Sequence, residues 1–112
     1  MTIDSTPLDN VFRALADPTR RAVVDRLSRG PAAVSELAEP FDMALPSFLQ
    51  HLKVLESCGL VRSEKTGRVR VYWIDPKPLR GAENWLTTQR SLWERRLDQL
   101  DAYLEIMKEK EG

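Results

Sequence analysis

Between Asp42 and Leu60 the large apolar residues Leu45, Phe48, Leu52 and Leu55 recur at three- and four-residue steps. That spacing puts them on one face of a helix. Pro46 falls in a first turn, where the N–H it lacks would have no partner, and Gly59 falls where helices stop in a left-handed residue. The face opposite Phe48 carries Gln50, Lys53 and Ser57, with Ser47 towards one side and Glu56 near the apolar edge. Such a face can enter a nucleic-acid groove without repelling phosphate. Any amphipathic surface helix also has a polar face, so the neighbouring segments decide.

Upstream, Leu8, Val11, Phe12 and Leu15 form a stripe that predicts a first helix over Leu8–Ala16. A helix this short needs another surface to lie on. Asp17 reads as the N-cap of a second helix, with Pro18 at its first position, Ala22, Val23 and Leu27 inward, and an end near Gly30. Arg20 and Arg21 occupy its first turns, the unfavourable end of the helix dipole for cations. Either a carboxylate (Asp17 or Asp25) or a phosphate must compensate, and the internal carboxylate is the favoured choice. After an extended link from Pro31 to Val34, Ser35 is the expected N-cap of a short third helix over Glu36–Glu39. Pro40 halts it, and Phe41–Met43 turn into the helix described first. Two helices joined by a short turn, the second with a polar outward face, make a helix-turn-helix.

Beyond Gly59 the period changes. Leu60–Glu64 and Arg68–Ile74 are rich in β-branched and aromatic residues, and Lys65-Thr66-Gly67 separates them, which predicts a hairpin. Lys65, Arg68 and Arg70 crowd its tip; solvated tips are often charged, but three cations after a helix-turn-helix suit a phosphate-contacting wing. A long helix is then expected over Leu79–Lys108. Its stripe is Ala82, Trp85, Leu86, Gln89, Leu92, Trp93, Leu97, Leu100, Tyr103, Leu104 and Met107. That is too much apolar surface for one small core to cover. A second copy of the chain is favoured over an intrachain bundle as its cover.

At 112 residues, with 42% hydrophobic and 30% charged side chains, the composition is that of one ordinary globular domain, residues 1–112. No apolar run suits a membrane span, the N-terminal residues lack signal-peptide features, and a lone Cys58 forms no intrachain disulfide. A cytoplasmic protein is expected. Formal net charge is zero, which argues weakly against a nucleic-acid partner, but its distribution argues the other way. Residues 1–45 hold five basic and seven acidic side chains, and residues 82–112 hold five and seven again. Residues 46–81 hold seven basic against three acidic, a local excess of four. One basic surface on an acidic scaffold is the implied arrangement.

Phe12-Arg-Ala-Leu-Ala-Asp-Pro-Thr-Arg-Arg21, Ser35-Glu-Leu-Ala38, Leu45-Pro46, His51-Leu-Lys-Val-Leu-Glu56, Gly59-Leu-Val-Arg62 and Gly67-Arg-Val-Arg70 together resemble the ArsR/SmtB family of bacterial winged-helix repressors. The resemblance spans about residues 10–75. It implies a mainly α fold with a β-hairpin wing, a winged helix-turn-helix that dimerises through its first and last helices. Ala44–Ser57 would then enter successive major grooves of double-stranded DNA. The family commonly has serine at the positions of Ala44 and Leu49, and lysine or histidine at that of Gln50. Ala44 offers no hydroxyl, and Leu49 cannot hydrogen-bond a base edge, though it can touch a thymine methyl.

The expected base-facing residues are Ser47, Gln50 and Lys53; Arg62, Lys65, Arg68 and Arg70 are expected on the DNA backbone. His51, at the border of the two faces, either contacts phosphate, which the family match favours, or closes the helix edge. The expected dimer surface comprises Leu8, Val11, Phe12, Leu15, Trp85, Leu86, Leu92, Trp93, Leu97, Leu100 and Leu104. Metal sensing is not expected: a Cys-x-Cys site of the family falls on Ala33 and Ser35, and one histidine and one cysteine cannot build a zinc or arsenite site within a subunit. Cys58 reads as a small hydrophobe rather than a redox switch. No nucleophile motif, acid–base pair or glycine-rich phosphate loop supports an enzyme, and no cofactor is implied. An unidentified small-molecule or protein effector has room in this reading. The rival is a winged-helix protein-interaction module that has lost DNA binding, motivated by zero net charge, Ala44 and Leu49.

Overall fold

A computed structural model describes residues 6–111. The elements are α1 (Thr6–Leu15), α2 (Pro18–Leu27), β1 (Ala32–Ala33), α3 (Val34–Ala38), α4 (Leu45–Ser57), β2 (Val61–Thr66), β3 (Val69–Ile74) and α5 (Lys77–Glu111). The chain divides after Ala82 into two compact units.

In the first unit, Val11 and Ala14 of α1, Val23 and Leu27 of α2, Leu37 of α3, and Phe48, Leu52 and Leu55 of α4 share one core. Ala32, Leu60, Val61, Tyr72 and Ala82 complete it. The α4 stripe is therefore buried as its spacing predicts, except at its start. Leu45 is 53% exposed, because the first turn of α4 runs beyond the core. Ala22, expected inward, is exposed too, while Val24 packs against the core in its place.

Local signals set most boundaries. The carboxylate of Asp17 accepts the backbone N–H of Arg20, and Pro18 opens α2. Gly59, at φ 80°, closes α4: its N–H donates to Glu56 O and that of Leu60 donates to Leu55 O. That pair of bonds is a Schellman motif, with Leu60 and Leu55 both in the core. The third helix begins earlier than expected, at Val34, and Ser35 lies inside it. Glu36 explains the shift. Its carboxylate accepts the N–H of Ala33 and so ties down the chain ahead of the helix without a hydroxyl cap.

The hairpin loop is also tighter than expected. Thr66 pairs with Val69, leaving only Gly67 and Arg68 as loop residues. Gly67, at φ 65°, occupies the first of the two, the position where a type II′ turn calls for glycine. The extended link is a strand: Ala32 and Ala33 pair antiparallel with Tyr72 and Val71, giving a three-stranded sheet in the order β1-β3-β2.

Of the expected dimer residues on α1, Val11 is only 2% exposed and belongs to this core, with Leu8 and Leu15 packed partly against it. Phe12 is the one that faces outward. The second unit is the remainder of α5. Trp85, Leu86, Leu92, Trp93, Leu97, Leu100 and Leu104 are all exposed there, as are Tyr103, Ile106 and Met107.

Candidate nucleic-acid interface

The outward side of α4 carries Ser47, Gln50 and Lys53, all exposed, and among the described residues their side chains have no hydrogen-bond or ion-pair partner. Leu45 and Leu49 are exposed beside them. His51 does not share that freedom. Its Nδ1 lies 3.3 Å from Arg20 Nη1 and 3.6 Å from Asp17 Oδ2, and its side chain is only 23% exposed.

Arg20 is the hub of this contact. Its Nε donates to Ala14 O at 2.7 Å and its Nη2 to Arg13 O at 3.1 Å, while Arg21 Nη1 donates to Leu15 O at 2.8 Å. These carbonyls close α1. The two arginines at the positive end of the α2 dipole thus sit at the negative end of the α1 dipole. The expected carboxylate is only part of the compensation: Asp17 lies near, but Asp25 pairs with Arg29 instead.

The carboxyl of Asp17 is held below the usual aspartate range, chiefly by the Arg20 N–H. Desolvation opposes that effect, and the charges of His51 and Arg20 reinforce it. A lowered folded-state pKa adds stability above the unfolded pKa, and that stability is lost as pH falls through the folded value. Asp17→Asn keeps the capping oxygen and removes the charge. The wild type should be the more stable of the two at neutral pH, with the gap closing below about pH 4. Urea denaturation at several pH values checks this; a gap that persists in acid would contradict it.

The wing brings cations together by register. Lys65 lies directly opposite Arg70, and Arg68 occupies the loop between their strands. Glu64 alternates to the other face of β2. Arg70 leans back along the hairpin, its Nη1 donating to Ser63 Oγ at 2.9 Å, and Ser63 in turn donates to Glu56 of α4. This chain ties the wing to the end of the helix, a role no sequence period could reveal. It also occupies Glu56, the one carboxylate near the outward side of α4. Arg62 is differently placed. Its Nε donates to Asp75 Oδ2 at 2.9 Å, although its side chain remains 63% exposed.

The structure thus gathers Ser47, Gln50 and Lys53 on α4 and Lys65 and Arg68 at the wing end, with Arg70 beside them in register, while Arg70, His51 and Arg62 have partners within the fold. Sequence reasoning missed Arg20 as the holder of His51 and Ser63 as the link between wing and helix. The hydroxyl of Ser63 had no visible signal, whereas the misplaced charge of Arg20 was one.

Residues 15–64 match a helix-turn-helix domain family. The crystal structure of an ArsR family transcriptional regulator, RHA00566, superposes with a TM-score of 0.78 at 56% sequence identity, covering 84% of this chain and 97% of that one. The HTH-type transcriptional regulator Rv2034 of Mycobacterium tuberculosis is 49% identical over 71 residues, 63% of this chain and 66% of the relative. The transcriptional repressor SdpR of Bacillus subtilis is 32% identical over 79 residues, 70% of this chain and 88% of that protein. With this fold and these relatives, the chain belongs to the ArsR family of winged helix-turn-helix transcriptional regulators.

Proposed function

We propose that this chain is a cytoplasmic, non-enzymatic repressor that binds a palindromic operator in double-stranded DNA as a homodimer, without a metal. The observation that carries DNA binding is the wing end, where Lys65 and Arg70 are directly paired positions of the ladder, Arg68 occupies the loop between their strands, and Arg70 leans back onto Ser63. Like charges directly opposite destabilise a hairpin, and a polyanion lying over them reverses the sign of that effect. The free polar side of α4 supplies the base-reading surface, with Gln50 suited to adenine and Lys53 to guanine. His51 and Arg62, already paired, serve best as supports with secondary phosphate contacts. The homodimer rests on the exposed stripe of α5 and on Phe12, within a single winged-helix domain whose last helix serves assembly. Metal independence rests on Ala33 and Ser35, which offer no thiolates.

Capture of random duplexes by the purified protein, followed by sequencing, yields the operator. On that operator and on random DNA, Arg68→Ala should weaken binding alike and lower the salt slope by about 0.9 for each phosphate it ceases to neutralise. Gln50→Ala should instead erode discrimination by about 1–3 kcal/mol if Gln50 makes a bidentate contact with adenine. Equal losses for Gln50→Ala on both DNAs, with altered preference for Arg68→Ala, would reverse the two roles. If neither substitution matters on any duplex, the protein-interaction module is the better reading.

A further inference from the structure

The first turns of α4 are unusually poor in hydrogen-bonding side chains for a surface that reads DNA. Ala44, Leu45 and Pro46 offer none, and Ser47 contributes a single hydroxyl. Leu45 and Leu49 stand one turn apart on the same ridge as Lys53, at steps of four, and are 53% and 40% exposed. Each exposed leucine alone would be unremarkable. What distinguishes the pair is its place: it adjoins Gln50 and Lys53 and lies in the N-terminal half of the helix, the part that reaches base edges in helix-turn-helix proteins. In the major groove the apolar feature a leucine can recognise is the C5-methyl group of thymine.

We infer that Leu45 and Leu49 form an apolar subsite for thymine methyl groups, so that part of the operator is read by methyl burial rather than by hydrogen bonds. This rests on the DNA-binding reading above. The geometry divides the helix into two readers. Leu45 and Leu49 take methyl groups near its start, and Gln50 and Lys53 take hydrogen-bonding edges further along. A protein partner could also use an apolar pair, but the continuity of these leucines with free polar and cationic side chains favours the groove of a duplex.

The test uses the full-length protein and the captured operator, with deoxyuridine replacing thymidine at one position at a time. That exchange deletes a methyl group and leaves every hydrogen-bonding edge in place. At one or two thymines per half-site, binding should weaken by about three- to fivefold, as expected for losing one buried methyl. Leu49→Ala or Leu45→Ala should abolish the penalty at the matching thymine and leave the salt slope unchanged. Wild-type protein indifferent to every uridine exchange overturns the subsite, and that arm needs no variant to fold. An unchanged penalty in both leucine variants overturns it as well. A protein that captures no duplex fails the DNA-binding reading and this inference together, whereas tight operator binding without any methyl effect fails this inference alone.

Discussion

Arg20→Met should cost about 2–3 kcal/mol of folding stability, a large share for a chain of this size. The guanidinium donates to Ala14 O and Arg13 O, carbonyls of the last turn of α1, the second of which also accepts the Ala16 N–H, and its third arm reaches His51 on α4. Bonds from a charged donor contribute about 1.5–3 kcal/mol each, and the figure is discounted here because the Nη2 bond to Arg13 is solvent-exposed. Methionine keeps most of the aliphatic volume and removes every donor. Arg20→Lys should recover less than half of the loss, because an ammonium cannot span both carbonyls and His51 as a fork does. Arg21→Met should cost less, since Arg21 makes a single exposed bond to Leu15 O. Urea denaturation of the three variants gives the ranking. If Arg20→Met unfolds at the wild-type midpoint, the contact at the α1–α2 corner is incidental.

That corner shows where sequence reasoning stopped. The charges of Arg20 and Arg21 could be recognised as misplaced on α2, but their partners are backbone carbonyls of the preceding helix. Only the angle between α1 and α2 brings those carbonyls within reach, and no residue spacing encodes it. The same limit explains the other differences. Periodicity identified the face of α4 but not how far its cover extends, so Leu45 was placed inside and lies outside. It identified the stripe of α1 but not which side chains the rest of the chain would claim, and the core takes Val11 while Phe12 faces out. Pairing of Ala32 and Ala33 with β3 joins residues some forty positions apart, and two alanines carry no strand signal of their own. Features set by contiguous residues were legible: the Asp17 cap, the Gly59 stop, the hairpin and the buried run Phe48–Leu52–Leu55. The basic wing was legible as composition. The relay from Glu56 through Ser63 to Arg70, which gives the wing its attachment, was not.

Ending the chain before Glu94 should leave a monomer or an insoluble protein. The deletion removes Leu97, Leu100, Tyr103, Leu104 and Met107 of the stripe, each roughly half exposed in the single chain. Full burial of one such side chain contributes about 1.5–3 kcal/mol, so covering the remaining half of five contributes about 4–8 kcal/mol per subunit. Two subunits double that. Association must overcome about 4–15 kcal/mol of lost translational and rotational freedom, so losing this stripe removes most of the margin. Trp85, Leu86, Leu92 and Trp93 would remain as an apolar patch on a shortened helix, which is why insolubility is the alternative outcome. Leu97→Asp in the full-length chain separates assembly from folding. The side chain is 59% exposed, so aspartate costs the single subunit little, yet it would place an unpaired carboxylate inside a dimer interface. Sedimentation equilibrium should find this variant as a folded monomer, with the helical circular dichroism of the first unit retained. A truncated chain and a Leu97→Asp chain that both sediment as stable dimers would move the interface away from the second half of α5. Because two half-sites are read at once only by a dimer, a monomeric Leu97→Asp protein should also lose its preference for palindromic over single half-site DNA, while keeping weak, salt-sensitive binding through the wing.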